Sequence, residues 1–598
     1  MELVVLYVLG VNFLSNSNLK NFDNFYANLA QSAYRGRPNL FPYERLTKAE
    51  KEILDSGGSL PFDFSQDVVY EKEITPGGKK LDNDGKVYLQ PDPDLHVEKG
   101  IDLPFLDDND KKIADYKEKA GLGPYQKGRL TNERVGFNAY FLTDTPTLGK
   151  DTKHTYMAIR GSDGFNIERF KKEGIKPLNL NDWLVNDANF ALFDSHIPQA
   201  RLATEGMKAT IAEMSEKAPN ATMDLTAHSL GTMVTVQGIA NLSQQEFDKI
   251  GKVVLFDGPD TTDSLKKMGV DDDRIQAISA KLEYYVNPFD IVSMLNRENT
   301  IYNIEKPGEK PTRKELGTAH IVVPLHYTRF DFMSDSAHDF GVFQADGKGG
   351  FLVASEDFHP ELLRAGEKLA RLEAKFLDLL RMQGLTDDEA IKFMNAVVDV
   401  SSFGTANFAR AGISTSAFYE FKRDYQAIID EARRESMKWD KKMIPSYQKQ
   451  LGNGNLTGEE RILVRARLLQ TAAQLAIFEI EDKVKHVKTL LSDAKESVQK
   501  IINDARTEAF GLATYLSDSE VESLLIDFDI KHYWDDSVET NINTSAKGFL
   551  TEIEQLGTTL VRASGDFAAV DTQQAEDFNN LLADVKGSWR VIENAYTK

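Results

Sequence analysis

Proline placement sets the first limit on what this chain can fold into. Of its 19 prolines, only Pro445 lies beyond Pro360. Proline lacks an amide donor and its ring clashes with the preceding turn, so helix interiors exclude it. The C-terminal part is therefore free to be helical over long stretches. The part up to Pro360 instead alternates short apolar, β-rich runs with turns and helical patterns, the grammar of α/β layers. At 598 residues the chain also exceeds one ordinary core. These features predict an α/β domain over 1–357 and an elongated all-α bundle or coiled-coil domain over 358–598. The stretch about 55–123, rich in Pro, Gly, Asp and Lys, reads as an irregular insertion.

Strands are expected at Val135–Phe141, Thr155–Ile159, Met223–Thr226, Val253–Phe256, Leu282–Val286 and Ile321–Leu325. Three heptad patterns mark the second part. One runs Leu362, Ala365, Leu369, Leu372, Phe376, Leu379. The next runs Ile477, Ile480, Val484, Val487, Leu491, Ala494, Val498, Ile501, Ala505. The last runs Leu550, Ile553, Leu556, Leu560, Ala563, Phe567, Val570. Spacings alternate between three and four, as a coiled-coil seam requires, and each stripe needs a partner helix.

Charge and composition remove several classes of function. A net charge of −22 disfavours nucleic acid and gives no attraction to anionic membranes. The absence of cysteine excludes disulfides, thiol catalysis and cysteine–zinc sites. The start, Met1–Gly10, is apolar but short, carries Glu2 and lacks a positive flank, so it reads as a buried element rather than a signal peptide. No run is long enough for a transmembrane helix. The fragments Asp82–Gly85 and Asp107–Asp110 complete no calcium loop and read as solvated turns. No metal or cofactor is expected.

The chemistry is concentrated at Ala227-His228-Ser229-Leu230-Gly231. An apolar approach precedes it and a helical run follows, so Ser229 is expected on a tight strand-to-helix turn. That is the geometry of a nucleophile elbow, with Ala227 in place of the usual glycine. Such a serine needs a base, an acid to orient the base, and donors for an oxyanion. The strand Met157–Ile159 ends in Arg160-Gly161-Ser162, which would turn the Ser162 N–H towards the reacting carbonyl. The Leu230 N–H, directly after the nucleophile, is the second candidate donor.

Three motifs occur in order: Ile159-Arg-Gly-Ser162, Asp182-Trp183-Leu184-x-x-Asp187 and His228-Ser-Leu-Gly231. Together they resemble class-three lipases and their bacterial relatives, which implies an α/β-hydrolase fold. Asp290-Ile-Val resembles the segment that carries the acid in that family. Asp257 and Asp260 are the rivals, in a segment that resembles a structural stretch of the family. The base is expected in the polar loop Ser334–Phe343 after the last long strand, which names His338, with His326 as the alternative.

The segment Gly557–Phe578, where small and apolar residues alternate before Phe567-x-x-x-Asp571, resembles helical WXG- and LXG-type substrates of the Gram-positive type VII secretion system. The order of domains is reversed relative to those substrates. This resemblance implies export without a cleavable signal peptide, small helical partner proteins on the C-terminal domain, and Phe567 and Asp571 in the targeting surface. For a toxin it also implies an immunity protein on the hydrolase domain. The combined expectation is a secreted serine carboxylic-ester hydrolase, phospholipase A-type, acting on membrane lipid. The rivals are a non-catalytic adaptor on the same scaffold and a serine peptidase or amidase.

Overall fold

A computed structural model describes residues 24–34, 40–64, 86–98, 125–133, 136–161, 198–330, 336–339, 342–344, 350–382, 415–452, 456 and 458–566. Met1–Gly10, both Asp-rich fragments, Ser162, Asp182–Asp187, Phe567 and Asp571 lie outside the described residues. The chain divides into two compact units, Met1–Ser436 and Met437–Lys598.

The first unit holds an 11-stranded mixed sheet. Its strands are β1 (Leu60–Asp63), β2 (Lys86–Leu89), β3 (His96–Glu98), β4 (Tyr125–Lys127), β5 (Thr131–Asn132), β6 (Phe137–Thr143), β7 (His154–Ile159), β8 (Thr222–His228), β9 (Ile250–Phe256), β10 (Leu282–Val286) and β11 (Thr318–Ile321). The helices are α1 (Phe25–Ser32), α2 (Lys48–Asp55), α3 (Pro198–Lys217), α4 (Leu230–Ala240), α5 (Gln244–Phe247), α6 (Thr262–Lys267), α7 (Asp272–Ser279), α8 (Ile291–Met294), α9 (Pro360–Met382) and α10 (Thr415–Gly452). Strands β7 to β11 pair in parallel, in sequence order. Strands β1 to β6 add antiparallel pairings on the β7 side. Three of them, β1, β2 and β3, fall in the stretch expected to be irregular about residues 55–123.

The parallel strands need crossovers, and the helical runs between them supply these. Side chains alternate between the faces of a strand. On β8, Asp224 and Thr226 bond to Tyr26 of α1, so that helix covers one face. On β7, Tyr156 packs with Phe25 of α1, while Thr155 points to Met214 of α3 on the opposite face. Strand β8 is thus covered on both sides, and its near-continuous burial follows.

Helices α9 and the first part of α10 belong to the sheet-bearing unit. Composition changes near residue 358 because helix begins there, whereas the compact division falls after Ser436 because those helices pack on the sheet's loops. Tyr327 bonds Ser436 at 3.2 Å, and Phe376 stacks on Phe421 at 4.7 Å. Pro445 lies inside α10, against the expectation from proline geometry.

The second unit contains the rest of α10, α11 (Gly458–Leu512), α12 (Asp518–Leu524) and α13 (Asp536–Asp566). Lys495 pairs with Asp536 and Glu539, while a Cβ at Gly557 would meet Ile477, so α11 and α13 run antiparallel. The seam follows the expected heptad through Ile477, Ile480 and Val484, then drifts. Ile502 is 3% exposed whereas Ile501 is 65% exposed. A straight helix has 3.6 residues per turn, so a strict seven-residue stripe slides off a straight partner. Among the described residues no helix is long and apolar enough to cross a membrane.

Candidate active site

Ser229 sits between β8 and α4 with φ 59° and ψ −135°. An L-residue rarely adopts such a conformation, and it persists only where the surroundings impose it. Here the Ser229 N–H donates to Phe256 O on β9 at 3.0 Å, while Ser229 O accepts the Thr232 N–H at 2.9 Å. The turn also demands close backbone approach. A Cβ at Gly231 would lie 2.6 Å from the Ile159 carbonyl oxygen, and one at Gly161 would lie 2.5 Å from that of His228. Only glycine fits at either point. Ala227 is fully buried, and its small side chain is accommodated in place of the usual glycine.

The Ser229 hydroxyl is 2.8 Å from Nε2 of His338. The His338 Nδ1 is 2.9 Å from Oδ2 of Asp290. A carboxylate accepts, so Nδ1 carries the hydrogen and Nε2 is left basic towards Ser229 Oγ–H. Asp290 is fully buried and caps α8, accepting the N–H groups of Val292 at 3.1 Å and Ser293 at 2.9 Å. It also accepts the Ser293 hydroxyl. Those donors fix the carboxylate and compensate its burial.

The structure thus brings Ser229, His338 and Asp290 into one hydrogen-bonded chain, and of the two candidate histidines it is His338 whose Nε2 meets the Ser229 hydroxyl. Leu230 is the first residue of α4, and its N–H has no acceptor within that helix. It lies directly after the serine, where an oxyanion donor belongs. Asp260 has a structural task, accepting the N–H groups of Thr262 at 2.8 Å and Leu316 at 3.0 Å.

A second chain was not apparent in the sequence. His228 Nε2 is 3.1 Å from the carbonyl oxygen of His338, and its Nδ1 is 2.9 Å from Tyr34 Oη. A carbonyl only accepts, so Nε2 carries the hydrogen and Nδ1 accepts from Tyr34. The Tyr34 oxygen in turn accepts the Gly161 N–H at 3.2 Å. This chain ties the base loop to the turn after β7. His228 stands inside the elbow motif, which is the only local signal for it.

Behind the site lies Asp257, at the end of β9. Burial and the nearby Asp290 charge push its carboxyl well above the usual carboxylate range. His228, Asp257 and His338 present ligand-type atoms within 4.8 Å of one another. Both His338 nitrogens are already committed to Ser229 and Asp290, so the cluster reads as part of the hydrogen-bond system rather than as a metal centre. Arg297, fully buried, braces the region by donating to Ser293 O, Gly258 O and Glu315.

A serine so arranged can lose its proton to His338 as it attacks an electrophilic carbon, and His338 can return that proton to a leaving group. No protein-family model, curated protein or solved structure matches this chain.

Proposed function

We propose that the first unit is an α/β-hydrolase and that the protein is a serine ester hydrolase of lipase type. The observation that carries this reading is the Ser229–His338–Asp290 chain on a left-handed strand-to-helix turn. In the proposed reaction Ser229 Oγ attacks the ester carbonyl while His338 Nε2 takes its proton. The tetrahedral oxyanion is held by the Leu230 N–H and by Ser162. His338 then protonates the leaving alcohol, and water reverses the sequence on the acyl-enzyme. Asp290 keeps the imidazole in the required tautomer throughout.

The acyl esters of membrane phospholipid are the proposed substrates. Export through a type VII-like route, with small helical partners on the second unit, is the proposed delivery. The resemblances of motif order and of helical texture support those two points.

Removing a triad nucleophile costs roughly 10⁴–10⁶ in rate. Ser229→Ala is therefore expected to abolish release of fatty acid from phospholipid and labelling by a fluorophosphonate, with an unchanged circular dichroism spectrum. Full hydrolysis by that variant would overturn the reading. Cleavage of amide substrates, with none of esters, would move it to a peptidase.

A further inference from the structure

Asp257 has φ 46°, a left-handed backbone that favours glycine, yet the chain places a carboxylic acid there. Strain of this kind collects where a side chain has a task. The side chain is completely buried. Its Oδ1 accepts the Asn287 N–H at 3.0 Å and lies 3.0 Å from Ser293 Oγ. Its Oδ2 has no hydrogen-bond partner among the described residues and is 3.8 Å from His228 Nε2.

The Ser293 hydroxyl stands between two carboxyl oxygens, since it also bonds Asp290 Oδ2. It has one hydrogen. With both acids ionised, one of the two contacts would set bare oxygens against each other. The hydrogen count closes when one acid is protonated. Asp290 receives two backbone N–H groups, the Ser293 hydroxyl and the His338 Nδ1–H, which suits an anion. Asp257 receives a single backbone N–H. The titratable groups that face it are Asp290, His338 and His228. Its raised pKa has the matching direction and cause.

We propose that Asp257 is a positioning residue of the same site, a neutral acid whose proton is donated to Ser293 Oγ so that the Ser293 hydroxyl hydrogen is committed to Asp290. This rests on the hydrolase reading above. The relay runs from Asp257 through Ser293 to Asp290, with His338 donating to the same carboxylate. It holds the plane of that carboxylate against the His338 ring while Ser229 reacts. Without the relay Asp290 keeps its two backbone donors but loses the hydroxyl that completes its hold, so its plane is less firmly set against the His338 ring, and small misplacements of a reacting group are costly.

Isosteric replacement separates this role from that of a second anion. Asparagine tolerates left-handed φ, and its amide N–H can donate to Ser293 Oγ, but the nitrogen then stands where Oδ1 accepted the Asn287 N–H, so that one contact is given up. Rates of Ser229 phosphonylation by a fluorophosphonate are measured for Asp257→Asn, Asp257→Gly, Ser293→Ala and the Asp257→Gly/Ser293→Ala pair. Asp257→Gly is expected to lose at least about tenfold in the limiting rate with unchanged probe affinity, and Asp257→Asn, which keeps the donor to Ser293 but loses the Asn287 contact, to lose distinctly less. Ser293→Ala should match Asp257→Gly, and the pair should lose no more than either alone. The downfield proton resonance of His338 Nδ1–H should persist in Asp257→Asn and shift or broaden in Asp257→Gly. Equal losses in Asp257→Asn and Asp257→Gly, full reactivity of Asp257→Gly, or additive losses in the pair would overturn the proposal. If Asp257→Gly fails to fold, Ser293→Ala beside Asp257→Asn decides. An unlabelled wild-type protein would instead count against the hydrolase reading, and the resonance would still report whether the relay orders the His338–Asp290 pair.

Discussion

Ser229 stores strain that the fold imposes from both sides. Strand β8 ends one residue before it, α4 starts one residue after it, and Gly231 lets the helix approach the end of β7. A left-handed backbone at a non-glycine residue costs on the order of 1 kcal/mol or more. Ser229→Gly removes the Cβ that suffers there, so its melting midpoint is expected to rise while fluorophosphonate labelling disappears. A lower midpoint, measured by calorimetry, would show that the hydroxyl's bond to His338 outweighs the strain. The three residues of this chain are legible in the sequence because each carries a local mark: a small-residue turn, a segment after a strand that resembles the acid-bearing stretch of a known family, and a polar loop after a strand. Tyr34 and Ser293 carry no such mark, and the motif around His228 and the strand end at Asp257 do not show what those two residues touch. Their roles come from contacts between distant segments, such as the 2.9 Å bond between Tyr34 and His228, and one sequence does not reveal those.

Helix α9 shows the same limit at the level of an element. Its apolar repeat is legible, and Leu362, Ala365, Leu369 and Phe376 are buried as the spacing requires, whereas Leu372 is half-buried and Leu379, the last of the repeat, is exposed. Between them the buried row includes Glu373, which is 4% exposed and among the described residues has no hydrogen-bond partner on either carboxyl oxygen. Periodicity places apolar residues but gives no hint that a carboxylate shares their face. Burial, then the charges of Asp290 and Glu298, push the Glu373 pKa well above its ordinary 4.5. Between pH 4.5 and that higher value the folded state binds more protons than the unfolded state. Stability conferred by this helix therefore falls as pH rises through that window. Glu373→Leu removes a buried, unpartnered acid and is expected to stabilise the first unit by about 1–3 kcal/mol at neutral pH. The gain should shrink as pH falls towards 4.5 in denaturant melts. A variant less stable than wild type at neutral pH would mean that Glu373 has a partner in solution.

The whole molecule divides later than its composition suggests, and that has a consequence for dissection. Tyr425 on α10 accepts the Phe330 N–H at 2.8 Å and donates to the carbonyl of Phe289, so one hydroxyl links the loops next to His338 and Asp290. A fragment ending at Asp357 would lack α9 and α10, and would open to water the loop surface of Pro288, Met294 and Ile301 on which Gly366 of α9 sits. A fragment ending at Ser436 keeps that cover and the Phe376–Phe421 stack. The shorter fragment is expected to aggregate and the longer one to label with fluorophosphonate, as read by gel filtration and labelling. Labelling of a soluble shorter fragment at the wild-type rate would show that α10 is dispensable. Charge acts over the same scale. At −22 the chain is repelled by an anionic bilayer over about one Debye length, ~10 Å at 0.1 M salt. On the proposed lipase reading, fatty-acid release from zwitterionic vesicles should exceed release from vesicles rich in anionic phospholipid at low salt. Added salt should narrow the gap by raising the anionic rate. If the anionic vesicles are hydrolysed faster at low salt, a local basic surface overrides the net charge, and the rate should then fall as salt is added.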